Sequence, residues 1–193
     1  YKKEDEDSAR HLLARGPFSF TEGSWRPVQI PYLEGNLSVA LPREILVSMG
    51  AEGGSVEKFV KRYEPDEIAL VSPVPGATKE ISDNARREAQ SVRRNIGVAD
   101  EKYAEVAAFD TVGMAATVLR FAEAAEGIKD FSAMALGSKP HALGLGVAGL
   151  ANTALCVVGR VPTSYLEIDR EGNGKAYYYE INDISAPGLS RIR

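Results

Sequence analysis

Between residues 67 and 158 four short apolar runs alternate with three segments of helical spacing. The runs are Glu67–Ser72, Glu105–Phe109, Phe131–Leu136 and Ala154–Val158. Each is too short for a helix, and each is bounded by Gly, Pro, Asp or Asn, which reads as a strand. The intervening segments are longer. Thr78 is placed to cap a helix reaching about Asn95, in which Ile81, Ala85, Ala89, Val92 and Ile96 share one stripe and Arg86, Arg87, Arg93 and Arg94 fall off it. Asp110-Thr111 opens a second helix to about Glu126, and Lys139 to Ala151 forms a third. Strands that take turns with helices imply βαβ crossovers, and therefore a mostly parallel sheet covered on both faces. The expected class is α/β, a Rossmann-like three-layer domain.

The flanks are less regular. Pro42 to Met49 reads as a short helix with proline in its first turn. Gly50 to Gly54 breaks it, and Ser55 caps another helix carrying Val56, Phe59, Val60 and Tyr63. At the other end Ser164–Ile168 and Lys175–Ile181 surround the turn-rich Asp169–Gly174, which predicts a C-terminal β-hairpin at one sheet edge. Residues 1–36 are expected to be an N-terminal tail or linker, or the end of a preceding domain. The sequence starts at Tyr1 rather than Met, and residues 37–193 are expected to hold the Rossmann-like domain.

Charge and cysteine narrow the function. A net charge of −4 gives no basic face for duplex nucleic acid. The single cysteine, Cys156, sits in the apolar run Ala154–Val158, so no intrachain disulfide or thiolate zinc site forms, and a reducing, cytoplasmic setting is expected. With only His11 and His141 available, no metal site or other cofactor is expected either. The uncharged stretch from Ala142 to Gly159 reads as helix, break and strand rather than as a membrane span.

In an open parallel sheet, ligands collect where strands run into helices. That rule selects Ser72, Asp110, Thr111, Gly137, Ser138, Lys139 and His141 as candidate ligand-binding residues. Gly137-Ser138-Lys139 is the most distinctive group. A glycine turn leads into a helix start with unpaired N–H groups, a hydroxyl and a mobile cation, which suits a phosphate or another anion. The order of residues is not that of a P-loop. Gly144-x-Gly146-x-x-Gly149 fits the dinucleotide fingerprint, with Asp169 about 20 residues on. It starts too far beyond Leu136 to be the strand-to-helix turn, and is expected instead to let a helix lie close to the sheet. No catalytic constellation stands out.

The strand ending in Ser72, the long helix, the strand ending at Asp110, and the later strand followed by Gly137-Ser138-Lys139 together resemble a CRISPR-associated Rossmann-fold (CARF) sensor domain over roughly residues 66–168. The lead-in Met134-Ala135-Leu136 and the following Pro140-His141 depart from that family's pattern. The resemblance implies a homodimer in antiviral defence that binds a cyclic oligoadenylate across its two-fold axis. Ser72 would be one polar contact, and Gly137, Ser138 and Lys139 the other. The expectation is a nucleotide- or anion-sensing binding domain of a larger protein, free of membrane and duplex nucleic acid. The alternatives are an enzyme acting on a nucleotide or phosphorylated small molecule through Lys139 or His141, and an interaction domain marked by an exposed apolar patch.

Overall fold

A computed structural model describes residues 21–38, 40–50, 53–76, 78–165 and 178–180. Six strands form one sheet: β1 (Thr21–Gln29), β2 (Arg43–Ser48), β3 (Glu67–Pro73), β4 (Tyr103–Val106), β5 (Asp130–Ala135) and β6 (Cys156–Tyr165). Four helices connect them: α1 (Gly53–Tyr63), α2 (Lys79–Ile96), α3 (Thr111–Ala125) and α4 (Lys139–Ala151). The spatial order is β1-β6-β5-β2-β3-β4. All pairings are parallel except β1 with β6. This is the expected α/β, Rossmann-like arrangement. The predicted C-terminal hairpin lies largely outside the described residues, and its first two residues, Ser164 and Tyr165, belong to β6.

Three sequence expectations change, the smallest being the strand read at 105–109, which runs over 103–106 as β4 and leaves 107–109 in the loop before α3. Residues 42–49 are not a helix: 43–48 form β2, at the centre of the parallel strands. Ile45, Leu46 and Val47 are all fully buried. A strand covered on both faces needs no polar alternation, so its apolar run looks the same as a piece of buried helix. Residues 21–29, expected in a tail, form β1 and pair antiparallel with β6 from Thr21↔Tyr165 to Gln29↔Val158. A strand that joins through its partner's backbone leaves little trace in hydrophobic pattern.

Successive residues of β2 serve opposite layers. Ile45, Val47 and Met49 pack with Val56 and Phe59 of α1 and Ala89 and Val92 of α2. Leu46 packs with Met114, Val118 and Phe121 of α3 and Leu145 and Ala148 of α4. The chain builds outward from β2 to β3 and β4, then returns to β2's other side for β5 and β6. Right-handed crossovers place α1 and α2 on one face and α3 and α4 on the other. The direction of building therefore reverses between β2 and β5, and there the loops at their C-terminal ends diverge to opposite faces.

At the opposite edge of the sheet, Glu44 is 1% exposed beneath β2. Its carboxylate receives Lys102 Nζ at 2.6 Å and Lys129 Nζ at 3.3 Å. Glu67 also accepts from both lysines, at 3.5 Å and 2.5 Å. Each anion thus meets both cations, closing a ring of four ion pairs at the starts of β2, β3, β4 and β5.

Candidate functional site

The reversal point is built by a close approach of two backbones. The ladder runs on one step past the strands, with Met49 N–H donating to Val71 O at 2.9 Å and Leu136 N–H to Ser48 O at 2.8 Å. Beyond it Gly50 and Gly137 face each other. A Cβ on Gly50 would stand 2.9 Å from Leu136 O and 3.1 Å from the Gly137 Cα, and one on Gly137 would collide with Met49 O. Neither glycine has positive φ, so the requirement is space rather than conformation. Gly137 is exposed, so the contact meets solvent at the point where a parallel α/β sheet of this order opens a crevice between its diverging loops.

One wall is the start of α4. Ser138 has extended backbone and accepts His141 N–H through Oγ at 3.3 Å, the helix cap that the sequence suggests. Pro140 has no N–H, so of the first-turn donors the helix geometry leaves those of Ser138 and Lys139 pointing outward. Lys139 is exposed beside them. The other wall is the start of α1, and here Gly53 N–H already donates to Glu88 Oε2 at 3.1 Å. Where a dinucleotide fold places pyrophosphate, this chain holds its own carboxylate from α2. Gly50 and Gly53 were not singled out in the sequence because 42–49 reads as a helix. The signal was present, since an apolar run followed at once by glycines is a strand-to-helix turn.

His141 lies behind the crevice, with no exposed surface. Its Nε2 is 2.9 Å from Ala107 O and its Nδ1 is 2.7 Å from Ser48 Oγ. A carbonyl only accepts, so Nε2 carries the proton and the Ser48 hydroxyl donates to Nδ1. Burial pushes the imidazole below its ordinary value, against the smaller opposing pull of the Ala107 carbonyl and the Asp110 charge. A serine against a histidine suggests a nucleophile and its base. Here both are fully buried, and the pair serves as an internal tie.

The other candidates separate cleanly. Asp110 is exposed at the crevice edge and caps α3, accepting Gly113 N–H at 2.7 Å. Thr111 is buried, and its hydroxyl donates to Pro140 O at 3.2 Å, joining the starts of α3 and α4. Ser72 is fully buried and turned toward α2, where its hydroxyl reaches Ala85 O at 3.5 Å. The structure therefore brings Gly137, Ser138, Lys139 and Asp110 to the surface at the C-terminal edge of the strands and keeps Ser72, Thr111 and His141 beneath it. Tyr179 also reaches this edge, its hydroxyl donating to Phe109 O at 2.8 Å.

Gly144, Gly146 and Gly149 lie inside α4 rather than in a turn. A Cβ on Gly144 would press on Thr111 O at 2.7 Å, and one on Gly149 on Val157 Cγ2 at 2.8 Å, so these two let α4 lie against α3 and the sheet. Cys156 is buried, and its thiol is pushed up by that burial. Among the described residues no three His, Cys, Asp or Glu side chains cluster as a metal site, and no helix is long and apolar enough to cross a membrane.

Fold and site together define an α/β protein of Rossmann-like topology whose direction of building reverses between β2 and β5. Neither the protein-family models nor the curated proteins compared with it match this chain.

Proposed function

We propose that the chain is a binding domain for a small phosphate-bearing ligand of the nucleotide class, seated at the crevice between β2 and β5. The observation that carries this reading is the Gly50–Gly137 contact at the reversal point, open to solvent and flanked by the α4 start with Lys139. Parallel α/β sheets bind ligands at such points because loops diverging to opposite faces leave a gap that backbone N–H groups line. Glu88 on the α1 start argues against a dinucleotide pyrophosphate there and directs the anion to Ser138 and Lys139. The cyclic oligoadenylate implied by the CARF resemblance belongs to this ligand class, and the full burial of His141 favours binding over turnover. As a catalytic base, His141 would first have to leave its buried ties.

One observation favours self-association as a second reading. After Lys139, α4 carries no charge, and its outward positions Ala142, Leu143, Gly146 and Leu150 are half-exposed or exposed. That stripe begins beside the crevice and would suit a second copy of the chain. Light scattering on the wild type and on Leu150→Lys tests it: a dimer that the lysine dissociates supports the reading, and a monomer at all concentrations sinks it.

The ligand reading is tested by thermal-shift and calorimetric titration with mono-, di- and cyclic oligonucleotides, beside Lys139→Ala. A ligand at about 100 times its dissociation constant adds roughly 2.7 kcal/mol of stability. The expected result is a shift for a nucleotide that is lost in Lys139→Ala, whose own melting point stays unchanged. A folded protein that responds to none of these ligands overturns the proposal.

A further inference from the structure

We infer that His141 is a positioning residue that couples the anion-facing turn Gly137–Lys139 to the β4–α3 loop, so that the two open and close together. This rests on the ligand reading above only for its purpose, since the coupling itself is a property of the free protein. The geometry is a bracket. Ser48, the last residue of β2, holds both ends of the turn: its carbonyl takes Leu136 N–H at 2.8 Å, and its hydroxyl donates to His141 Nδ1 at 2.7 Å. Between those two points only Gly137, Ser138, Lys139 and Pro140 remain, and three of them provide the surface that meets solvent. The far side of the same ring donates from Nε2 to Ala107 O at 2.9 Å, in the loop that leads to the exposed Asp110.

Ala107 O also accepts Asp110 N–H, so of the ring's two bonds only the one from Nε2 shares its acceptor. The ring is fully buried, so water cannot take over either one without the turn or the loop moving first. Thr111 adds a parallel tie, from its hydroxyl to Pro140 O, on the same side. The charge that acts on the ring is Asp110, exposed at the end of the β4–α3 loop. A displacement of the turn therefore pulls on Ala107 through one rigid aromatic ring. A ligand that settles on Ser138 and Lys139 would order the loop carrying Asp110 without touching it.

Amide hydrogen exchange read by NMR on the whole chain tests this. The reporters are Ala108, whose N–H donates to Pro75 O, and Asp110, whose N–H donates to Ala107 O, together with Leu136 and Ala142 in the turn. In His141→Phe, which fills the space without either bond, all four are expected to exchange about tenfold faster or more, while strand amides of β2 and β3 change only with global stability. Ser48→Ala removes one bond, keeps the fold if the phenylalanine variant does not, and should speed the turn and the loop together. His141→Gln, which retains a donor toward Ala107, should restore the loop in part. Inorganic pyrophosphate is the ligand probe: in the wild type it should shift Ser138 and Lys139 together with Ala108 and Asp110, and in His141→Phe, which lacks the bond to Ala107, the turn alone. Loop exchange that stays at the wild-type rate in Ser48→Ala and in every folded His141 variant overturns the coupling. A wild-type turn that ignores pyrophosphate and nucleotides counts against the ligand reading instead, and the exchange rates still decide the role of His141.

Discussion

Three residues in and just before α4 make different demands on substitution. Gly137 has no room for a methyl group, because Met49 O occupies the place a Cβ would take. Gly137→Ala is expected to cost on the order of 2 kcal/mol as overpacking, read as a lower urea midpoint at unchanged slope. Gly146 lies within α4 with open space where its Cβ would be. Gly146→Ala should stabilise by roughly 0.5–1 kcal/mol, and a loss instead would mean that this face is already covered in solution. His141 links stability to pH. Its folded-state value lies below the ordinary 6.5, chiefly through burial, so below about pH 6.5 the unfolded chain takes up a proton that the folded chain refuses. The stability present above that pH should then fall as pH drops toward the folded-state value, by at most about 1.4 kcal/mol per pH unit. His141→Gln should lack this component in urea titrations across pH 5–7. The capping roles of Ser138 and Asp110 are legible locally, because a cap lies within three residues of its partner. The burial of Ser72 and His141 is not legible, because it depends on which layer their neighbours face.

At the scale of elements, the helix starts decide what the cleft can hold. Ser138→Ala removes the hydroxyl that takes His141 N–H and should cost about 1 kcal/mol. Because the same hydroxyl fixes the first turn of α4, anion affinity should fall in parallel, and calorimetry on the variant separates the two effects. The α1 start is capped from another element, by Glu88 of α2. No spacing rule within α1 announces such a cap, and Ser55 reads as the natural one. Similar reasoning explains β2. Its neighbours β3 and β5 cover both edges and the helices cover both faces, so the residues with the strongest strand environment show the weakest strand pattern.

Across the whole molecule, the C-terminal and N-terminal edges of the parallel strands are stabilised differently. Among the described residues the C-terminal edge relies on hydrogen bonds without ion pairs and on glycine contacts, whereas the far edge relies on the alternating square of Glu44, Lys102, Glu67 and Lys129. The Lys129 hydrogen bond holds the Glu67 carboxyl below the usual range, and Glu67 in turn holds Lys129 up. Glu44 is the costly member, since it has almost no solvent contact. Replacing both lysines by methionine should cost about 3–5 kcal/mol by leaving a buried carboxylate without a counter-charge. Chemical denaturation measures this, and a loss below about 1 kcal/mol would show that water reaches Glu44.

Periodicity, caps and breakers acted over a few residues, and they specified α2, α3 and α4, the strands at 67–73 and 130–135, and the α/β class that follows from their alternation. They also marked Gly137-Ser138-Lys139, because a strand-to-helix turn is a local object. Which strand lies at the centre, where building reverses, and which glycines meet there were settled only by the packed sheet. Ser48 and His141 stand 93 positions apart in sequence, and neither carries a local sign of the other. Their bond exists because the crossovers of a right-handed α/β sheet bring the end of its first parallel strand beside the start of its last helix.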